Sequence, residues 1–399
     1  MDNGKLFRFK TTKNYSFLGL FYFVLYLSSM IERQIKQNLV EDLDFKKALV
    51  VLGPRQVGKT TLIRELVKGR NTLFLNGDDA QTRSNLSNTN LPFLQNIVSD
   101  YDVIVIDEAQ RIENIGLTVK MLVDSNSDKQ FILTGSSSLD LGNKINEPLT
   151  GRKWEHLLFP LSWSELRKHY SFSNAYERLE EFLIYGQYPE VVTHSKKQKI
   201  VSQLASSYLY QDILELANIK KPDLLMKLLR ALALQMGSEV SYNELSKILQ
   251  VDRMTVINYI DLLEKVFVLF RLHPYSSNQR NEITSKPKIY FYDNGIRNAI
   301  IGQFSPLNNR QDVGALFENF FISEKMKQLN YSGFYGATHY WRNTQQAEID
   351  FIEIIENEIT AYEIKYNSNV KIKFSKSFTE KYHPSKTIGI HKENFWEYL

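Results

Sequence analysis

Residues Lys47–Gly69 read KALVVLGPRQVGKTTLIRELVKG. The apolar run to Leu52 predicts a short buried strand, and Gly53-Pro54 breaks it. Leu62, Ile63, Leu66 and Val67 then recur at helical spacing, with Gly69 where a C-terminal cap belongs. Between strand and helix lies G-x-x-x-x-G-K-T. In that context Gly53, Pro54, Arg55, Gln56, Val57, Gly58, Lys59, Thr60 and Thr61 form a candidate phosphate-binding loop. The two glycines let backbone N–H groups converge on an anion at a helix N-terminus. Lys59 would reach the β- and γ-phosphates of ATP, and Thr60 would ligate Mg²⁺.

A second strand, YDVIVIDEAQ (Tyr101–Gln110), delivers Asp107 and Glu108 at its C-terminal end, where parallel α/β sheets bind ligands. Asp107 is the candidate Mg²⁺ ligand. Glu108 is the candidate group that polarises the attacking water. A third apolar run, QFILTGSSS, ends in Thr134, Ser136, Ser137 and Ser138. One of these hydroxyls either senses the γ-phosphate, with Ser136 preferred, or caps the next helix. Arg152 follows at a plausible distance to neutralise charge developing in phosphoryl transfer, in cis or from a neighbouring subunit, or else is a surface residue.

At 399 residues the chain is long for one core, so two or three domains are expected. Hydrophobic residues make up 43% and charged residues 24%, the composition of a folded protein. The absence of cysteine excludes disulfides and thiolate zinc sites and suits a reducing, cytoplasmic setting. A net charge of +4 permits nucleic-acid contact without demanding it. Residues 1–29 differ from the rest. Basic positions precede an uncharged run, Tyr15–Ile31, that reads as a spurious leader before a start at Met30, a membrane anchor, or a buried helix. The first reading is favoured, so a membrane is a partner only if this segment is real.

Helices from Ser162 to about Lys220 are expected to form a lid, interrupted by the turn in YGQYPEVV. Leu224–Met236, SYNELSKIL and the helix capped by Asp252 then precede the strand VFVLFRLHPY, the element order of a winged helix-turn-helix. The capped helix should turn Met254, Val256, Ile257, Ile260, Leu262 and Leu263 inward. It would offer Arg253, Thr255 and Asn258 to a DNA groove, although Asp252, Asp261 and Glu264 would repel phosphates. Such a domain can equally be a spacer.

The segment EIDFIEIIENEITAYEIKY (Glu348–Tyr366) reads as a hairpin with Glu356-Asn357 as a two-residue turn. That register sets Asp350 opposite Glu363 and Lys365 opposite Glu348 on one face, with Ile349, Phe351, Tyr362 and Ile364 on the other. Opposed carboxylates about 5 Å apart repel unless a cation lies between them. A second divalent metal would supply it, with Lys365 activating water. Lys371, Lys373, Lys376, Lys381 and Lys386 then make a basic tail that is a phosphate track or a solvated surface.

Together, GPRQVGKTT, VIVIDEAQ, FILTGSSS, LTGRKWEHLLFPLSWSE, YGQYPEVV and IYFYDNGIRNAI resemble one prokaryotic family. These are AAA-type ATPases with a winged-helix segment and a C-terminal restriction-endonuclease-like domain of unassigned function. The resemblance runs from Ile31 to about Tyr366, and family members start near the equivalent of MIERQI. It implies an α/β fold: a P-loop ATPase core (30–160), a helical lid (161–220), a winged helix (221–275) and an α/β restriction-endonuclease-like domain (276–399). It also implies a metal-ligand set of a helix glutamate, Glu318, with Asp350 and Glu363, and Lys365 as the catalytic lysine. The expected function is an ATP-hydrolysing enzyme acting on DNA, with a metal-dependent nuclease. The alternative is an ATP-driven switch whose C-terminal domain only docks a partner. A homo-oligomer would follow from an arginine acting between subunits.

Overall fold

The computed structural model describes residues 31–43, 46–87, 90–126, 128–137, 145–216, 222–276 and 286–399. The chain divides into two units, Met1–Glu32 and Arg33–Leu399, and most of the first lies outside the described residues. Positions 15–30 of the uncharged run, Ser138 and Lys220 also lie outside them. Among the described residues no helix is long and apolar enough to cross a membrane.

Within Arg33–Leu399, strands β1 (Ala48–Leu52), β2 (Thr72–Asn76), β3 (Val103–Asp107), β4 (Gln130–Gly135) and β5 (Lys153–Leu157) form one parallel sheet. Their order is β2-β3-β4-β1-β5. β1 and β4 are buried throughout, as is β3 up to Ile106, because helices cover both faces of a parallel sheet. Val50, Leu52, Ile104, Ile106, Phe131 and Leu133 pack there against Val119 and Leu122 of the helix Ile115–Ser125. Helix α1 (Lys59–Leu66) follows β1 across the P-loop. Because β4 lies between β1 and β3, the C-terminal ends of β3 and β4 both border that loop. The fold class is α/β.

Helix α2 (Trp163–Tyr170) begins with a reciprocal capping box between Ser162 and Glu165. The segment expected to form a lid is tied to later parts of the chain. The Gln187 N–H donates to Asp293 across 2.6 Å, and a side chain at Gly186 would meet that same carboxylate at 2.0 Å. The Trp163 N–H donates to Glu324 across 2.6 Å. These buried polar ties fasten residues 161–193 to residues 293–331, far along the chain.

Helices α3 (Pro222–Leu234), α4 (Tyr242–Leu249) and α5 (Arg253–Lys265) precede β6 (Leu269–Leu272), which pairs antiparallel with β7 (Lys288–Phe291). The expected boundary at 275/276 therefore cuts through a two-stranded ribbon. On α5, Val256, Ile260, Leu262 and Leu263 are buried as expected, but Met254 is 56% exposed. Asp261 and Glu264 both pair with Arg271 of β6, so part of their charge is offset within the domain.

After α6 (Asn294–Ile301), helix α7 (Val313–Tyr331) is buried around much of its circumference. Its nineteen residues extend about 28 Å. Its contacts tie distant parts of the chain: Asn319 exchanges hydrogen bonds with the backbone of Phe291, Glu324 receives the Trp163 N–H, and Phe321 packs on Tyr362. Strands β8 (Ala337–Arg342), β9 (Glu348–Ile355) and β10 (Glu358–Ile364) form an antiparallel meander. Helix α8 (Lys376–Tyr382) then crosses to β11 (Lys386–Ile390), parallel to β10.

Candidate nucleotide site and carboxylate cluster

The P-loop is shaped by the segment behind it. A Cβ on Gly53 would stand 2.0 Å from the Leu158 carbonyl, so the chain can pass there only as glycine. Gln56 and Gly58 take positive φ, of 60° and 96°. The buried Lys59 ammonium donates to the carbonyls of Gly53 at 2.7 Å and Pro54 at 2.8 Å, within the loop it would serve. Arg55 is half-buried and Thr61 exposed.

The Thr60 hydroxyl donates to Asp107 across 2.8 Å. The other Asp107 oxygen receives the Thr134 hydroxyl, which in turn accepts the Glu108 N–H at 3.2 Å. Glu108 has a positive φ of 48° and accepts from the Gln110 amide at 2.5 Å. That amide also donates to Ser136 across 3.2 Å. Strand ends β3 and β4 thus bring together Thr60, Asp107, Glu108, Gln110, Thr134 and Ser136. The hydroxyl of Thr60 and the carboxylate of Asp107 are hard oxygen donors of the kind Mg²⁺ takes beside a nucleotide.

Arg152 is elsewhere. Its carbonyl accepts from the N–H of Ala48, at the start of β1, and its guanidinium pairs with Asp124 at 2.5 Å. The P-loop leaves the other end of β1, about 16 Å away at a strand's rise per residue. A role for Arg152 in cis is therefore excluded by sheet direction. Two contributors went unread in the sequence. Gln110 links Glu108 to Ser136. Arg33 donates to the Val57 and Phe159 carbonyls, each at 2.6 Å, and no local spacing signals that reach.

In the C-terminal hairpin, Glu356 and Asn357 both have positive φ, and the register runs as expected from Glu358–Ile355 to Tyr362–Phe351. A β-bulge then changes the faces. Pairing of β8 with β9 slips between His339–Ile352 and Trp341–Ile349, so Asp350 and Phe351 together oppose Tyr340. Ile349 consequently packs with Ile352, Ala361 and Phe378, not with Phe351, which lies against Tyr362. Asp350 accepts the Ile364 N–H at 2.7 Å. Lys365 lies 3.3 Å from Asp350 and 2.9 Å from Glu363, rather than opposite Glu348.

The expected metal set is not assembled. Glu318 accepts from the Tyr290 hydroxyl at 2.6 Å and faces Lys288 at 3.4 Å, and Lys288 also pairs with Glu348. Among the described residues no three Asp, Glu or His side chains are grouped to hold a metal ion. Burial alone would lower the pKa of Lys288, but Glu318, Asp350 and Glu348 hold it above the usual lysine range. Burial raises Glu318, against the pull of Lys288. Burial and then Asp350 push Glu363 up to about 7, against Lys365.

The parallel sheet, the P-loop and the acids at the strand ends have the arrangement of a P-loop nucleotide-binding fold, and a family model described as "AAA domain" matches residues 45–167. "Domain of unknown function (DUF8612)" matches residues 176–307, and "Domain of unknown function (DUF4143)" residues 313–396. The uncharacterized proteins Mb2031c of Mycobacterium bovis and Rv2008c of Mycobacterium tuberculosis are each 30% identical over 336 residues. Those alignments cover 82% of this chain and 72% of each relative. The chain belongs to the family of these mycobacterial proteins. An uncharacterized protein of Haemophilus influenzae is 28% identical over 376 residues, covering 86% of this chain and 89% of that one. Among solved structures, the Walker-type ATPase paby2304 of Pyrococcus abyssi aligns at TM-score 0.49 and 14% identity, over 68% of this chain and 96% of that one.

Proposed function

We propose that the chain hydrolyses ATP and uses the cycle to set the position of a C-terminal docking domain. One observation carries the enzymatic part: Thr60 and Asp107 share a hydrogen bond of 2.8 Å beside Glu108, which Gln110 ties to Ser136. In this reading the P-loop N–H groups and Lys59 bind the phosphates. Thr60 and Asp107 hold Mg²⁺, which when bound neutralises phosphate charge. Glu108 orients the water, and Ser136 reports the γ-phosphate through Gln110. Arg152, half-exposed at the end of the sheet away from the P-loop, could serve a second copy of the chain. The test is ATP turnover by the full chain: Lys59→Ala should abolish binding and turnover together, and turnover surviving that change would sink the assignment.

DNA is the partner this reading favours. The order α3-α4-α5-β6-β7 suits a winged helix, with Arg253 and Asn258 exposed on α5. The order α7-β8-β9-β10-α8-β11 suits a restriction-endonuclease-like core, and Lys371, Lys373, Lys376, Lys381 and Lys386 are all exposed beside it. Docking is preferred to cleavage because Lys288 and Lys365 already pair with the acids that would hold a metal. A second reading, a metal-dependent nuclease, is favoured by the convergence of Asp350, Glu363 and Lys365 and by Glu363 Oε2, buried without a hydrogen-bond partner. Nicking of DNA in Mg²⁺ or Mn²⁺, lost in Asp350→Ala and Glu363→Ala, would establish that second reading over the first. Binding without nicking, weakened by Arg253→Glu, supports the first.

A further inference from the structure

We propose that Arg33 is a positioning residue for the P-loop and that it couples nucleotide binding to helix α7 through the peptide of Phe159. The inference rests on the reading that the P-loop binds ATP.

Arg33 is buried, and its three donor nitrogens reach three separate elements. Nη1 donates to the carbonyl of Val57 in the P-loop at 2.6 Å. Nη2 donates to the carbonyl of Phe159, after β5, at 2.6 Å. Nε pairs with Glu165 at 3.1 Å. Glu165 cannot move to follow the arginine. Its carboxylate also accepts the N–H of Gln34 at 2.7 Å and of Ser162 at 2.9 Å, the latter within the capping box of α2. The guanidinium is thus a fixed fork, a geometry that a lysine cannot reproduce.

Phe159 is held from its other side by α7. Its N–H donates to the Tyr331 hydroxyl at 3.2 Å, and its ring packs on that of Tyr331 with centroids 5.9 Å apart. Tyr331 is the last residue of α7, and its carbonyl is anchored by the Asn38 amide at 2.8 Å. The P-loop leans on the same short segment twice, because Gly53 rests against the carbonyl of Leu158. Phosphate binding draws P-loop N–H groups toward the anion. A shift of Val57 would therefore be transmitted by Arg33 to Phe159 and on to α7. Thirteen residues earlier, about 20 Å along that rigid helix, Glu318 contacts Lys288.

The test uses the full chain, Mg²⁺ and ATP, with a fluorescent ATP analogue for affinity and hydrogen–deuterium exchange for α7. In the wild type, saturating ATP should change exchange in the last two turns of α7. Tyr331→Phe keeps the ring and removes only the hydroxyl. It should bind ATP within about twofold of wild type yet lose the response of α7. Arg33→Lys should weaken ATP about tenfold, the loss of a charge-assisted hydrogen bond. Thermal melting of each variant separates this from unfolding, because a merely structural arginine would lower the melting temperature and leave affinity and the α7 response intact. That outcome overturns the proposal, as does ATP binding to wild type with no change in α7, or a response surviving in Tyr331→Phe. Failure of the wild type to bind ATP, matching Lys59→Ala, would instead overturn the nucleotide reading and this coupling with it.

Discussion

The ammonium of Lys288 lies 3.4 Å from the carboxylate of Glu318, joining strand β7 to helix α7 inside the protein. Lys288 is 2% exposed and also pairs with Glu348 of β9, so three elements share one buried cation. Removing one partner of a buried ion pair strands the other charges. Lys288→Met should destabilise the chain by about 3–5 kcal/mol in urea denaturation. A loss below about 1 kcal/mol would mean that the carboxylates find water or protons instead.

In the proposed reading Glu108 orients the attacking water and contributes nothing to the P-loop itself. Glu108→Gln should therefore keep ATP binding while turnover falls at least about 100-fold. Gln110→Ala frees the Glu108 side chain from Ser136 and should cost less, about tenfold. Equal loss of binding and turnover in Glu108→Gln would count against the assigned role.

Gly53→Ala brings a methyl group to 2.0 Å from the Leu158 carbonyl, a backbone atom that cannot rotate away. Strand β1 and the P-loop must separate from the segment after β5. Both melting temperature and ATP affinity should fall, because one contact sets the loop and joins it to the sheet. An alanine variant with native affinity would show that this junction gives way easily.

Glu363 holds its proton to about pH 7, because burial and Asp350 both oppose its charge. The unfolded chain releases that proton near pH 4.5, so between these values the folded state binds more protons. The contribution of Glu363 to stability should therefore decline as pH rises from about 4.5 to 7, and Glu363→Gln should flatten that decline. The carboxyl carbon, followed by NMR, should titrate near 7. Titration in the ordinary glutamate range would remove the prediction.

Arg152 pairs with Asp124 in an exposed contact that contributes little. At concentrations where the protein is monomeric, Arg152→Ala should leave turnover within about twofold. A large loss appearing only on self-association would assign it to a neighbouring copy.

The parts legible in the sequence are local. Strand β1, the P-loop and α1 follow from an apolar run, two glycines and helical spacing, although α1 stops at Leu66 and Gly69 forms the turn beyond it. The Glu356-Asn357 turn sets the hairpin register as far as Phe351–Tyr362. Past that point the register is not legible, because the bulge at Asp350–Phe351 arises from pairing with β8, a strand whose alignment no hairpin rule specifies. The acidity of α5 is overstated by the sequence for a similar reason, since Arg271, which pairs with Asp261 and Glu264 and offsets part of their charge, lies on the next strand.

From its sequence alone this chain determines which residue types stand at each strand end and turn, because apolar runs, glycines and helical spacing act over a few positions. Only the tertiary structure decided that Arg33 grips the P-loop, that Arg152 stands at the wrong end of the sheet, and that Lys288 lies between Glu348 and Glu318, one of the acids the sequence suggests for a metal. Each of those outcomes depends on strand order and helix packing, which bring together charges that chain spacing keeps apart, and a buried charge must be matched by whatever the fold delivers to it.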